Sequence, residues 1–318
     1  MNLIRVAAAL CFTCATLVHA AEFPAKPVTL VVAYAPGGLG DALARTIAER
    51  LTISLNQPVL VENKPGATGA IATKYVARAN PDGYTLLLGQ TGEIAINTAV
   101  MKDPGYDPLN DLRAIALVGD SPLVLVAPPN TPFTSVREIA QFAGKGNVTS
   151  YASSGTATPG HLAAEAMIGA LKVQMTHVPY KGAGPALTDV LGGHVSFFFS
   201  SAGATFGHIK AGKLKAIAVS SSTRMAALPN TPAVAETLPR FQFGLWGGVF
   251  APAGTPNEVV VQLNREINKV LADPAAKQKI EDLGAIVRQT MPEEFADFVK
   301  RETAKFATLV KQIGIKPE

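Results

Sequence analysis

The sequence predicts an α/β protein of two lobes, linked by two crossover segments with a cleft between the lobes. Three observations predict it. β-Branched runs alternate with segments of helical period from Val28 onward, a second such set begins at Leu123, and the closing helices bring few strands of their own.

The elements follow in order. Val28–Tyr34 is a continuous apolar run of the kind buried on both faces, and Asp41–Ser54 carries Leu43, Ala44, Ile47, Ala48 and Leu51 at helical spacing. A strand at Pro58–Val61, a helix at Thr68–Ala79, the turn Asn80-Pro81-Asp82-Gly83 and a strand at Tyr84–Leu88 complete a βαβαβ start. That order implies a parallel sheet with right-handed crossovers. After an irregular connection at Asp103–Pro108 come two apolar strands, Ala114–Val118 and Leu123–Ala127.

The second set continues with a helix at Ser135–Ala143, a strand at Val148–Ala152, a helix at Gly160–Leu171 and a strand at Gln174–Val178. A helix at Gly184–Leu191 and strands at His194–Phe199 and Leu214–Val219 end it. Gly244–Ala251 reads as a strand, and Pro256–Leu271 as an amphipathic helix with Val259, Val260, Leu263, Ile267, Val270 and Leu271 on one side. The last helix, Pro292 to Ile313, opens on Pro-Glu-Glu, which suits a helix N-terminus. These helices are expected to return to the first lobe, so the chain crosses near Asp120–Pro122 and again near Gly244–Gly248. Lobe 1 is then 21–121 with 247–318, and lobe 2 is 122–246. Such a pair forms a hinged cleft, an arrangement suited to capturing a small solute by closure.

The N-terminus reads as a secretory signal peptide over residues 1–20: Arg5 supplies one positive charge, Val6 to Val18 is apolar, and Val18-His19-Ala20 is a small-residue cleavage pattern. No later stretch approaches the roughly 20 apolar residues of a spanning helix. Both cysteines, Cys11 and Cys14, fall inside that segment, so no disulfide is expected in the mature chain. Leu10 and Thr13 precede them where a lipoprotein signal favours a small residue. Setting Arg5 aside leaves 27 of the 28 basic residues against 24 acids, a net charge of +3. With no basic cluster interleaved with aromatics, nucleic acid is not an expected partner.

Two loops share one design. "APGGLGD" follows the strand Val28–Tyr34, and "SSGTATPGH" follows Val148–Ala152, each just before a helix. A strand's carboxyl end meeting a helix N-terminus is the favoured ligand position of an open α/β sheet. The first helical turn has unpaired N–H donors and a partial positive potential, which hold an anion without a cationic side chain. Glycine permits close approach, and the hydroxyls of Ser153, Ser154, Thr156 and Thr158 add donors. Two such loops facing across a cleft form an anion clamp, although each alone is also a plain turn. Asp41 suits a helix start and pairs with Arg45 at i+4, and its carboxylate is also placed to meet a ligand ammonium.

Other chemistries fit less well. Gly37-Gly38-Leu39-Gly40 is not G-x-G-x-x-G, and a phosphate loop needs Gly-Lys-Ser/Thr. No G-x-S-x-G occurs. His161, His177, His194 and His208 stand singly, without metal-ligand spacing, so no metal or cofactor is expected. A hydrolase using Ser154 or Ser200 with His161 is the enzymatic alternative, and it lacks a visible third partner for the histidine. A solute sensor docking on a membrane signalling protein is the other alternative.

Five segments carry a resemblance: "FPAKPVTLVVAYAPGGLGDALAR", "VENKPGATGAIATKYVARANPDGYTLLLG", "VPYKGAGPALTDVLGGHVSFFF", "HIKAGKLKAIAV" and "GVFAPAGTPNEVVVQLNREI". In order, from about Phe23 to Ile315, they resemble the periplasmic substrate-binding proteins of tripartite tricarboxylate transporters, the Bug family. The resemblance implies a non-catalytic periplasmic receptor of the Venus-flytrap type, which closes on a small organic acid and delivers it to membrane permease subunits; a monomer is expected. It implies that backbone amides, hydroxyls and waters hold the carboxylate. Carried over, the first loop comprises Tyr34, Pro36, Gly37, Gly38, Leu39, Gly40 and Asp41, and the second Ser153, Ser154, Gly155, Thr156, Ala157, Thr158 and His161. Gly89, Gln90 and Thr91, with Tyr180 and Lys181, line the cleft, and the distal end of the ligand meets Ser200.

The sequence departs from that family at two places. Phe199-Ser200-Ser201 stands where many members resemble F-D-N, and Glu93 where a small or polar residue is usual. Losing an acid at Ser200 disfavours amino-acid ligands and favours a di-acid or an aromatic acid. Glu93, at a helix start, is expected to be exposed; facing the cleft, it offsets that loss.

Overall fold

The computed structural model describes residues 23–147, 149–180 and 182–315. The predicted signal segment and the predicted site residue Lys181 lie outside them. The first set of elements is β1 (Val28–Val32), α1 (Leu39–Ser54), β2 (Val59–Asn63), α2 (Ala70–Ala77) and β3 (Thr85–Gln90). β1 pairs with β2 and with β3 in parallel, as the βαβαβ order predicts. A helical segment at Gly92–Ile96 then runs into α3 (Asn97–Val100).

Next comes β4 (Leu112–Ala127), where two strands were expected. The sequence places a lobe crossing near Asp120–Pro122, between those two strands, yet β9 (Gly244–Pro252) pairs with this stretch and holds it extended. Its register with β9 shifts between Ala114 and Ala116 and between Leu117 and Gly119. The chain continues through α4 (Val136–Gly144), β5 (Ser150–Ser153), α5 (Pro159–Leu171), β6 (Thr176–Pro179), α6 (Ala183–Leu191) and β7 (Phe197–Ser201). It ends with α7 (Ala202–Lys210), β8 (Lys215–Val219), β9, α8 (Asn257–Ala272), α9 (Pro274–Asp282), β10 (Ile286–Val287) and α10 (Pro292–Gln312). The α7 and α9 helices were not anticipated; Asp273 accepts from Ala276 N at 2.9 Å and Pro274 follows, a start signal for α9.

Among the described residues the strands form one sheet in the order β2-β1-β3-β9-β4-β7-β5-β6, with β8 and β10 also on β4. β4 is the shared spine. Its first part pairs with β9 and its last five residues, 123–127, pair with β7 and β8, so the two lobes are joined through a continuous strand.

Burial follows the predicted faces. Leu43, Ile47 and Leu51 of α1 and Val260, Leu263 and Ile267 of α8 pack on Leu30, Leu88 and Val249. In the second lobe Val124, Val126, Phe198 and Val190 form a separate cluster. A third cluster spans both lobes: Val31 and Leu87 belong to it, as do Leu125, Tyr151 and Phe199, and α10 contributes Phe295, Val299, Phe306 and Val310. Gly248 makes this possible, because a side chain there would collide with the Phe295 ring. Phe306 in turn packs at a tilt against Phe243, ring centres 6.5 Å apart, and Phe243 against Phe241 at 4.8 Å. The last helix therefore seals the core of both lobes.

Candidate functional site

The strand register sets the geometry of the cleft. β3 runs antiparallel to β9 and β9 antiparallel to β4, so β3 points along β4 and ends at Gln90, level with Gly247 and hence with Gly119. β7 runs the opposite way and ends at Ser201, level with Leu123, and β5 lies parallel to it. The carboxyl ends of both strand sets thus converge on one stretch of β4. Gly119 and Leu123 are four residues apart, about 13 Å in an extended strand. The two strand-to-helix loops stand on the two sides of that waist.

The first loop is held from beneath by Asp41. Burial pushes this carboxyl up, but hydrogen bonds from Arg45, Gly37 N and Asn63 outweigh that and leave it below the usual range. Gly37 N donates to Oδ2 at 3.0 Å, Arg45 Nε donates to the same oxygen at 3.0 Å, and Asn63 Nδ2 donates to Oδ1 at 3.0 Å. Asp41 does not cap its helix: the N-cap is Gly38, without a side-chain bond. It ties the glycine turn to the end of β2 instead. Gly37 takes a left-handed φ of 92°, and Pro36, Gly37 and Gly38 are exposed while Gly40 is buried. Beyond Gly37 the first-turn amides of α1 have no helical carbonyl to bond and lie along this exposed turn.

β3 ends beside that loop. A side chain on Gly40 would run into the amide of Gln90, so Gln90 lies against the turn. Thr91 is buried, and its Oγ1 accepts from Trp246 N at 2.8 Å, which pins β3 to β9. Gly89 is buried under Ile94 and Phe250. Of these three predicted residues, Gln90 is the one whose side chain borders the loop. Glu93, expected to be exposed, is fully buried: Tyr34 Oη donates to its Oε2 at 2.9 Å and Gln90 N to its Oε1 at 2.7 Å. Burial pushes its carboxyl up to about 7 against the downward pull of those bonds. The Tyr34 hydroxyl is driven upward in turn, by burial first and then by Glu93. Its placement therefore makes Tyr34 a support of the loop from inside.

The second loop is built around two histidines. Ser153 Oγ donates to Gly155 O at 2.9 Å and lies 2.7 Å from His177 Nε2. Thr158 Oγ1 donates to the same Gly155 carbonyl at 2.8 Å. Ala157, at a left-handed φ of 60°, donates its N–H to His161 Nδ1 at 3.0 Å. That bond requires an unprotonated Nδ1, and burial followed by the neighbouring His177 pushes His161 down to about 4. The two imidazoles stack at 4.0 Å, with Tyr151 5.0 Å beyond His177. Thr156 is exposed and Ser154, Gly155 and Thr158 are half-buried, so these four border solvent. Tyr180 N donates to Ser153 O at 3.0 Å and Gly182 N to Ser154 O at 3.0 Å, joining the end of β6 to the loop. The Tyr180 hydroxyl turns to Asp189 on α6 at 2.5 Å.

Among the described residues neither Ser154 nor Ser200 hydrogen-bonds His161. His161 Nδ1 is occupied by the Ala157 amide, and Ser200 is buried inside β7 opposite Val124, its Oγ without a hydrogen-bond partner among the described residues. Among the described residues it is the buried Ser153 that meets a histidine, His177. Asn63 escaped sequence reasoning altogether, since nothing in "VENKPG" marks it as a partner of Asp41.

Comparison with known proteins shows the family. The family model described as tripartite tricarboxylate transporter family receptor matches residues 43–315. Protein BugT of Bordetella pertussis is 35% identical over 324 residues, covering 99% of each chain. The solved periplasmic binding protein BugD is 36% identical, with a TM-score of 0.85 over 93% of this chain and 100% of that one. A Rhodopseudomonas palustris protein solved with adipate gives 33% identity and a TM-score of 0.89 over 93% and 100%. Another from that organism, MatC with bound malate, gives 32% and 0.84 over 91% and 100%. The resemblance carried by the five quoted segments is borne out, together with the two-lobed α/β binding-protein fold: this chain belongs to the receptor family of the tripartite tricarboxylate transporters.

Proposed function

We propose that this protein is a periplasmic receptor that captures a small carboxylate, a di-acid foremost, between the 34–41 and 153–161 loops and hands it to the permease subunits of a tripartite transporter. The observation that carries the reading is the convergence of both sets of strand ends on residues 119–123 of β4. Each side offers helix-start amides, and the second adds the hydroxyls of Ser154, Thr156 and Thr158, so an anion is held by oriented dipoles. Relatives solved with adipate and malate support a di-acid. We assign 21–121 with 247–318 to one lobe and 122–246 to the other, and closure about β4 and β9 brings the half-sites together. The chain acts as a monomer, without cofactor or metal.

A panel of mono-, di- and tricarboxylates, aromatic acids included, tests this by thermal unfolding. A solute at 100 times its Kd adds about 2.7 kcal/mol of stability. A panel without any shift would count against the reading, and turnover of an ester panel would favour an enzyme instead.

A further inference from the structure

Glu93 sits beneath the first loop and joins several strand-end segments of its lobe. Besides its bonds to Tyr34 and Gln90, its own carbonyl accepts from Tyr106 Oη at 2.6 Å. Its Cβ stands 2.9 Å from where a side chain on Gly69 would begin, so the 66–69 turn closes over it. Gln90 leads from Glu93 directly to Gly40, which puts the carboxyl one residue behind the anion-accepting turn.

The groups facing Glu93 leave its charge unmatched. The titratable ones are Tyr34 from the end of β1 and Tyr106 from beyond α3. Asn97 of α3, a neutral amide, binds Tyr106 Oη at 3.1 Å and Thr68 O at 3.0 Å. From α10 the buried residues are apolar, Phe295 and Val299 among them, while Glu302 is engaged by Trp246 Nε1 and Lys305. Asp41 of α1 is matched by Arg45. No lysine or arginine hydrogen-bonds Glu93 among the described residues, and a buried carboxyl without a cation favours its neutral form.

We infer that Glu93 takes up one proton from solvent when the protein closes on an anionic solute, so that carboxylate and proton are bound together. The inference rests on the carboxylate-receptor reading. An ionised Glu93 opposes a second negative charge brought into a closing, water-poor cleft, and a neutral one does not. The coupling is reciprocal: whatever the proton does for solute affinity, the solute does for proton affinity. Protonated on Oε2, Glu93 becomes the donor and Tyr34 Oη the acceptor. The Tyr34 hydrogen then turns toward Thr68 O, 3.5 Å away, so no buried donor is stranded.

The test is titration calorimetry with adipate, malate and benzoate at about pH 6.5 and about pH 8.5, in buffers of different ionisation enthalpy. Adipate or malate is expected to bind about tenfold more tightly at the lower pH and to take up protons on binding, a coupling of ordinary size. In Glu93→Gln the pH ratio should fall below about twofold and the uptake should vanish. Wild-type affinity independent of pH without uptake, or a pH ratio retained in the variant, overturns the inference while leaving the receptor reading intact. Absence of binding by every acid overturns the receptor reading and the inference with it. Should Glu93→Gln fail to fold, carboxyl carbon NMR of wild-type protein decides: a glutamate titrating near neutrality must move to its protonated position on addition of adipate, and an unmoved signal overturns the inference.

Discussion

The side-chain nitrogen of Asn63 lies 3.0 Å from Asp41 Oδ1 and 2.9 Å from the Tyr34 carbonyl, so one amide at the end of β2 holds both ends of the glycine loop. Asn63→Ala strands the Asp41 oxygen and frees the turn. Losing bonds to a buried charged group costs about 1–3 kcal/mol, and the adipate-induced thermal shift should shrink with it. Arg45→Ala is the control: its side chain is 54% exposed and solvent screens its ion pair, so it should cost less than Asn63→Ala. Urea unfolding of both variants measures the difference. Equal costs would show that the amide is not the anchor.

Gly38 separates folding from binding. Its φ of −83° and ψ of 171° suit any residue, and nothing stands within 4 Å of an added Cβ. Gly38→Val should therefore still fold, at the cost of about 1 kcal/mol for a poorer N-cap, yet lose its response to every carboxylate. A variant that still responds would move the ligand off this loop.

The pH dependence of stability carries a signature of Glu93. Its carboxyl is raised to about 7 in the folded protein, from an ordinary value near 4.5, so between those values the native state holds a proton that the unfolded chain does not. Stability from this group is full below about 4.5 and is lost as pH rises through about 7, a change on the order of 3 kcal/mol. His161 acts in the opposite sense: lowered from 6.5 to about 4, it adds stability above 6.5 that is lost as pH falls through 4. Subtracting the urea-derived stability of Glu93→Gln from that of wild type at each pH isolates the first effect. The difference must fall as pH rises. A flat difference would mean that Glu93 is ionised throughout.

Phe306 tests the closing helix. It is fully buried, and truncating such a ring to alanine costs about 3–5 kcal/mol. Because its cluster spans both lobes, Phe306→Ala should lower a single cooperative transition for the whole chain. Two separated transitions in calorimetry would show that the lobes unfold independently.

What was legible in the sequence is what local physics decides. The run at 28–34 and the spacing of Leu43, Ile47 and Leu51 gave β1 and α1 nearly to the residue, and the glycine turn between them needed only the steric logic of positive φ. β4 is one strand rather than the two expected because 119–122 is extended by virtue of β9, whose residues lie far along the chain. Asn63 and Glu93 escaped for the same reason. The amide that holds Asp41 comes from another strand, and the burial of Glu93 is imposed by Tyr34 and Tyr106 from two separate segments. An isolated Glu at a helix start is usually solvated, and tertiary contacts overrode that preference. For Asp41 the structure answers what the sequence left open about its hydrogen bonds: the carboxylate accepts from Gly37, Arg45 and Asn63.

The position of α10 also bears on the order of events in folding. Phe199, Phe241 and Phe243 belong to the cluster that Phe306 of α10 covers. While α10 is undocked, that aromatic face is open to self-association. Docking of this one helix, rather than ordering of either sheet half, is thus the step that shuts the interior away from solvent.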